Sequence, residues 1–293
     1  MSNFNPADLV LLKKRPKLGR SIIIFLISML NHIFKPFFNP FFKHGVISTS
    51  TIATLFFSHL VFADGLSAHL DGGVSFSDLG HNQTISVYQD PSIQYQFDNS
   101  SEHIQSPFVG LGLAYQWDQL GAFKNHLAFS LGLTAYYLEN SLNGVKTPVL
   151  LGTALPSLNY HVEEDSWAAM LEPKLINTAY SWQPYALVGL GVSSNQLNNY
   201  SEEPTDPNGG AAAMPEPFQN KTTNSFAWEF GLGVQHLFYT AETGQKISFA
   251  LEYRYMNWGQ MYLATYPGEG TRETPHFGTL TSNLLSASLI YEF

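Results

Sequence analysis

Few side chains in this sequence that could do chemistry are spaced to do it together. His161, Glu163, Glu164 and Asp165 bring an imidazole and three carboxylates into one short stretch. These are the ligand types of a divalent-cation site, but in an extended backbone successive side chains point to opposite faces, so no metal site is expected. His126 and Ser130 are a base and a hydroxyl nucleophile on one face, yet alternation brings no third group to orient them. The His-x-Ser spacing that would place such a pair on an outer face does not occur after residue 63. Cysteine is absent, which removes thiolate ligands and disulfides, and no phosphate loop or nucleotide fingerprint is present. What remains is ionic: His69, Asp71, Glu172, Lys174, Glu229, Glu252, Arg254 and Glu292 each sit on the polar phase of an alternating segment. Charges held in a narrow, low-dielectric interior must pair or stay hydrated. If Phe238 and Gln245 flank a turn, Glu229 falls opposite Arg254 in the ladder, a ready cross-strand ion pair.

The elements that must hold these groups are strands. Over 66–77, 109–117, 127–134, 166–175, 186–193, 225–235, 247–255 and 285–293, apolar side chains recur at every second position. Leu127, Phe129, Leu131 and Leu133, for example, alternate with Ala128, Ser130, Gly132 and Thr134. That two-residue rhythm is the signature of a strand whose faces meet different surroundings. About eight strands of roughly ten residues follow, the length a tilted membrane strand requires. Pro173, which has no N–H to give a ladder, predicts a bulge or an early end in the fourth strand.

The connections after the first strand span 79–104, 118–125, 139–165, 177–183, 195–222, 239–245 and 259–279, alternately long and short. An up-and-down barrel with four long external loops, short periplasmic turns and both termini on the periplasmic side has this rhythm. Small residues fall on the inward phase, as a narrow barrel demands. A soluble lipocalin-type barrel reverses the pattern, oily inside and polar outside. Trp117 and Trp182 are expected at the periplasmic rim and Trp167, Trp228 and Trp258 at the external rim, forming two aromatic girdles at headgroup depth.

Charge divides the chain. Residues 1–63 hold seven basic side chains and one acid, leaving seven basic and 22 acidic ones, a net of −15, for 64–293. The basic stretch, the apolar run over 46–62 and Ala63 before Asp64 predict a secretory signal peptide cut after Ala63. A second apolar segment at 22–30 leaves Met1 and Met29 as alternative starts. Two units are therefore expected, an N-terminal extension with signal peptide (1–63) and a barrel domain (64–293).

The final strand ends on Leu289, Tyr291 and Phe293, which resembles the assembly signal of bacterial outer-membrane barrels. Together with strand count and loop rhythm, it makes residues 64–293 similar to the OmpA-type transmembrane domain and the opacity-type surface proteins. That resemblance implies the outer membrane of a Gram-negative bacterium, with lipid, lipopolysaccharide and the barrel-assembly machinery as partners. It also implies a host or envelope surface ligand, and no cofactor. A peptidoglycan-binding domain is not expected after Phe293, so envelope tethering loses its main support. The acidic mature chain argues against nucleic acid.

Function is then expected in the external loops, which carry Asp90, Asp98, Glu102, Glu163, Glu164, Asp165, Glu202, Glu203, Asp206, Glu216, Glu269 and Glu273. The expectation is a non-catalytic outer-membrane surface protein acting in envelope integrity or surface adhesion. A narrow porin-like channel is the alternative, and a lipid A-modifying enzyme a further one.

Overall fold

The computed structural model describes residues 65–79, 82–86, 92–99, 104–117, 126–206, 218–265 and 273–293. The expected signal peptide, its cut after Ala63 and the choice of start lie outside these residues, as do the 118–125 turn and most of the proline- and glycine-rich third loop.

Eleven strands run through the described residues: β1 (Leu66–Asp78), β2 (Gln83–Ser86), β3 (Ile93–Asn99), β4 (Ile104–Trp117), β5 (Leu127–Leu150), β6 (Thr153–Ala154), β7 (Leu158–Asn177), β8 (Trp182–Pro204), β9 (Lys221–Thr240), β10 (Lys246–Tyr262) and β11 (His276–Glu292). Eight of them close on themselves in the order β1, β4, β5, β7, β8, β9, β10, β11, all neighbours antiparallel. β11 returns to β1 from Glu292 opposite Ser67 to Thr281 opposite Asp78, and the Phe293 N–H donates to the Leu66 carbonyl at 3.0 Å. The fold is an eight-stranded antiparallel up-and-down barrel, as the alternation predicts. Closure leaves no edge in the ring, so each strand has a ladder on both sides.

The strands run farther than the expected ten residues, with 24 in β5 and 23 in β8. Much of each long external connection is therefore itself strand. β2 and β3 continue the β1–β4 hairpin outward, with β3 pairing from Ile93 opposite Leu150 to Asn99 opposite Gly144. β6 closes the tip of the β5–β7 hairpin.

The change in surroundings along one strand explains why the extra length was hidden. In the lower half, outward residues are apolar and well exposed, Leu133, Leu171, Leu190 and Leu232 among them. Inward ones, such as Ser130, Gly132 and Thr134, are small or polar. At about 3.3 Å per residue, the outward step from Phe129 to Tyr137 covers roughly 26 Å along the strand, enough for a tilted crossing. Beyond Tyr137 the outward phase becomes Glu139, Ser141 and Asn143, and the inward phase becomes Leu138 and Leu142, both fully buried. The side-chain period persists but its polarity inverts, giving the outer half the pattern of a water-soluble barrel.

That outer half has a packed core. Phe97, Tyr160, Trp258, Met261, Phe277 and Leu280 are all 2% exposed or less. Phe97 meets Tyr160 edge-on at 5.7 Å, and Tyr160 meets Phe277 at 6.1 Å.

Pro173 neither bulges nor ends its strand. β7 continues to Asn177, and Pro173 stays in register with Leu131 of β5. The β8 ladder is silent at 172–173 and resumes without slippage at Lys174 opposite Leu187. The missing N–H costs pairing locally but does not reset the register.

Candidate functional site

Three sets of side chains stand out: a charge cluster in the lower barrel, a polar belt above it, and the outward surface of the external half.

The cluster centres on Arg254 of β10, which is 5% exposed. Its Nη1 donates to Glu229 Oε2 of β9 at 2.8 Å and to Glu172 Oε1 of β7 at 3.1 Å, while Nε donates to Glu252 Oε1 of its own strand at 2.7 Å. Tyr136 of β5 accepts from Nη1 and donates to Glu172 Oε1 at 2.6 Å. Tyr185 of β8 donates to Glu252 Oε2 at 2.9 Å. One guanidinium thus ties together side chains from β5, β7, β9 and β10, and through Glu252 reaches β8. Its planar fork of five donors suits that task. Glycine makes the room: a Cβ on Gly189 would lie 2.2 Å from Glu229 Oε1, and one on Gly233 would lie 2.3 Å from the Tyr185 ring.

The sequence-predicted residues divide. Glu172, Glu229, Glu252 and Arg254 are brought together. His69 stands beside them, its Nε2 3.1 Å from Thr134 Oγ1 and 3.7 Å from Asp71 Oδ2. Lys174 does not join, placing its ammonium 4.4 Å over the Tyr185 ring. Glu292 lies apart at the short-turn rim and accepts from Lys246 at 2.9 Å. The Glu229–Arg254 pair forms, but not as direct ladder partners. Arg254 is opposite Gly231 and Glu229 opposite Met256, because the turn pairs Thr240 with Lys246 rather than Phe238 with Gln245, and the bulge between Ile247 and Ser248 takes back only one residue of that offset. Diagonal neighbours in a sheet are still within reach of long side chains.

The belt was not foreseen. Asn140 Nδ2 donates to Glu164 Oε2 at 2.6 Å, and Ser166 Oγ lies against both Glu164 Oε1 and, at 2.7 Å, Asn195 Oδ1. Asn195 Nδ2 donates to the Trp258 carbonyl at 2.8 Å, and Trp258 Nε1 donates to Ser282 Oγ at 3.1 Å. Ser282 meets Ser77 at 2.8 Å, and Ser77 meets Ser75 at 2.7 Å. The chain of hydrogen bonds crosses β5, β7, β8, β10, β11 and β1. Ser166 has one proton and two acceptors, since Asn195 is oriented by its donation to Trp258. Ser166 donates to Glu164 when that carboxyl is ionised, and a proton on Glu164 turns this contact round and leaves Ser166 free to donate to Asn195. Burial accordingly pushes the Glu164 carboxyl up to about 7, against the lowering effect of Ser166 and Asn140. Signal for this belt existed: Glu164 and Ser166 continue the inward phase of β7, one turn of the pattern past the point where greasy outward residues stop.

Trp258 corrects the girdle expectation. It faces inward and is fully buried, on the same phase as Arg254 and Met256, so it is part of the interior. Trp117, Trp167, Trp182 and Trp228 point outward and are 36–50% exposed. Leu289, Tyr291 and Phe293 also face outward, Tyr291 edge-on to Phe293 at 5.0 Å.

Of the expected surface carboxylates, Glu164 is buried in the belt, and Glu202 turns its covered side chain to Lys146 at 2.8 Å, whose ammonium lies 4.3 Å over the Tyr95 ring. Asp98, Glu163, Glu203, Asp206 and Glu273 are exposed, and Asp165 partly so. Asp90, Glu102, Glu216 and Glu269 lie outside the described residues. His161 turns outward to Asn143 Oδ1 at 2.8 Å. No group of three metal-ligating side chains converges among the described residues. His126 is exposed at the rim while Ser130 is buried.

The class defined by this architecture is the outer-membrane type of β-barrel: a closed ring, an apolar outer belt and a filled interior. No protein-family model matches the chain, and no curated protein matches it. Among solved structures it is similar to Neisserial surface protein A, at 14% identity over 78% of this chain and 97% of that one, with a TM-score of 0.35. Similar too are OprG from Pseudomonas aeruginosa (12%, 78% and 98%, 0.34) and the Escherichia coli outer membrane protease OmpT (11%, 79% and 98%, 0.31). At such scores the barrel stands on its own ladder, not on these likenesses.

Proposed function

We propose that this protein is a non-catalytic surface protein of a Gram-negative outer membrane, exported by a signal peptide and inserted by the barrel-assembly machinery. Its external half is the working part, serving surface adhesion or envelope integrity. The observation that carries this reading is the polarity inversion above Tyr137 and Trp167. Strands continue outward with polar and acidic side chains facing water and a solid aromatic core inside. Such a head offers a rigid wall rather than a mobile loop, and rigid scaffolds suit recognition. Its outward carboxylates, Asp98, Glu163, Asp165, Glu203 and Asp206, favour a basic partner surface or cation-bridged lipopolysaccharide.

The porin-like alternative is opposed by the same core, since Trp258, Phe277, Tyr160 and Leu142 leave the interior filled above the Arg254 cluster. Surface display in a Gram-negative host, scored by binding of displaying cells to target cells, tests the proposal alongside planar-bilayer recording of the purified barrel. Binding with electrical silence is the expected result. Steady conductance that responds to neutralising Arg254 would replace the surface reading with the channel.

A further inference from the structure

The β5–β7 hairpin turns at its outer end through Leu151 and Gly152, between the paired residues Leu150 and Thr153. Both turn residues have positive φ, 51° and 81°, the geometry of a two-residue type I′ turn. The first position of such a turn favours asparagine, aspartate or glycine, and an apolar γ-branched side chain there is a misfit. Leu151 occupies it and is 80% exposed, with Leu150 and Leu155 also exposed beside it. Conformation and solvation both disfavour leucine at this place, so its presence calls for a contact outside the chain.

What the tip offers selects the partner. No charged residue occurs over 147–160. The Leu151 N–H donates to the Ser92 carbonyl at 3.1 Å and the Leu155 N–H to the Pro148 carbonyl at 2.8 Å. An uncharged, oily tip whose Leu151 and Leu155 N–H groups are already engaged takes fewer unpaired polar groups into hydrocarbon. From Tyr137 to Leu151 the strand climbs about 46 Å, or on the order of 35 Å above the aromatic rim once tilt is allowed for. The tip therefore cannot reach the bilayer that holds the barrel and meets whatever stands opposite. Exposed carboxylates repel an anionic surface, Asp206 beside the tip, next to Thr205 which bonds the Ser157 carbonyl, and Glu203 and Glu163 below it.

We propose that the Leu150–Leu151–Leu155 tip inserts into an apposed zwitterionic lipid surface. This deepens the surface-binding reading and rests on it for the outward direction of the head. Single contacts are weak, and many barrels on one cell act together through avidity.

The test uses the barrel reconstituted in lipid nanodiscs and phosphatidylcholine vesicles that pellet bound protein. Wild type is expected to co-sediment, more weakly when phosphatidylglycerol is added. Leu151→Asn suits the turn better, so the fold is retained or strengthened while binding falls about five-fold. Adding Leu150→Ser and Leu155→Ser is expected to remove at least nine-tenths of it. Undiminished binding by these variants overturns the proposal. Wild type that binds whole cells but not vesicles also overturns it, leaving the surface reading intact with a protein pocket as partner. Binding to neither overturns both.

Discussion

Replacing Glu164 by glutamine should make the barrel's stability less sensitive to pH, and the size follows from the buried belt. The carboxyl titrates near 7 in the folded protein because burial penalises its charged form, against 4.5 for the ordinary group. Between those values the folded protein keeps a proton that the unfolded chain has released, so stability falls as pH rises through the window and levels off above about 7. At 1.36 kcal/mol per unit the loss approaches about 3 kcal/mol. Glutamine reproduces the protonated acid: its amide donates to Ser166 while its oxygen accepts from Asn140, and it never ionises. Urea unfolding of both proteins in phosphatidylcholine vesicles, followed by tryptophan fluorescence at pH 5 and pH 8, isolates the effect, since every other titrating group is shared. The variant's advantage should grow by about 2.5 kcal/mol from the lower to the higher pH, the rest of the loss falling below pH 5. A difference constant within about 0.5 kcal/mol would mean that Glu164 is ionised in the fold and that the proton count along the belt is wrong.

Arg254→Met should cost about 3–5 kcal/mol, because it strands Glu172, Glu229 and Glu252 without their cation. Loss of the compact, unboiled band on gels at lower urea would register it, with bilayers still silent because the aromatic core above is untouched. Gly191→Ala places a Cβ 2.0 Å from the Ala169 carbonyl oxygen and 2.6 Å from Met170 Sδ, so β7 and β8 must part. Folding yield in detergent should drop sharply, whereas Gly152→Ala, with open space around its Cβ, should lose only the backbone preference of about 1 kcal/mol. Trp258→Phe removes the hydrogen bond to Ser282 and leaves a void, and a loss of about 2 kcal/mol in urea unfolding is expected.

Sequence made the lower barrel legible because one strong contrast, oil outside and small or polar inside, repeats on every strand. Strand count, closure and the membership of Glu172, Glu229, Glu252 and Arg254 in one interior set could be read from it. The upper half was opaque for the opposite reason. From Leu138 on β5 the same period carries apolar residues inward, so a search for greasy outward stripes stops at the rim and mistakes the extension for loop. Trp258 shows the error at a single residue: its large ring suggested a headgroup girdle, while its phase, shared with Arg254, already placed it inside. Tyr136 and Tyr185 were missed because phenols on a polar phase carry no charge to flag them. The turn register that pairs Thr240 with Lys246, and that even after the bulge at Ile247 and Ser248 leaves Glu229 two residues from its expected partner, has no signature in composition.

The ladder between β1 and β11 joins residues as far apart as Ser67 and Glu292. Until that last seam zips, each end strand presents an unsatisfied row of amides and carbonyls, which hydrocarbon will not tolerate. Lipid entry must therefore wait for nearly the whole polypeptide to be threaded and its two remote ends to find one another, the slowest kind of encounter a chain can make. Joining that seam is thus the step that holds back entry into lipid, behind the pairing of neighbouring hairpins.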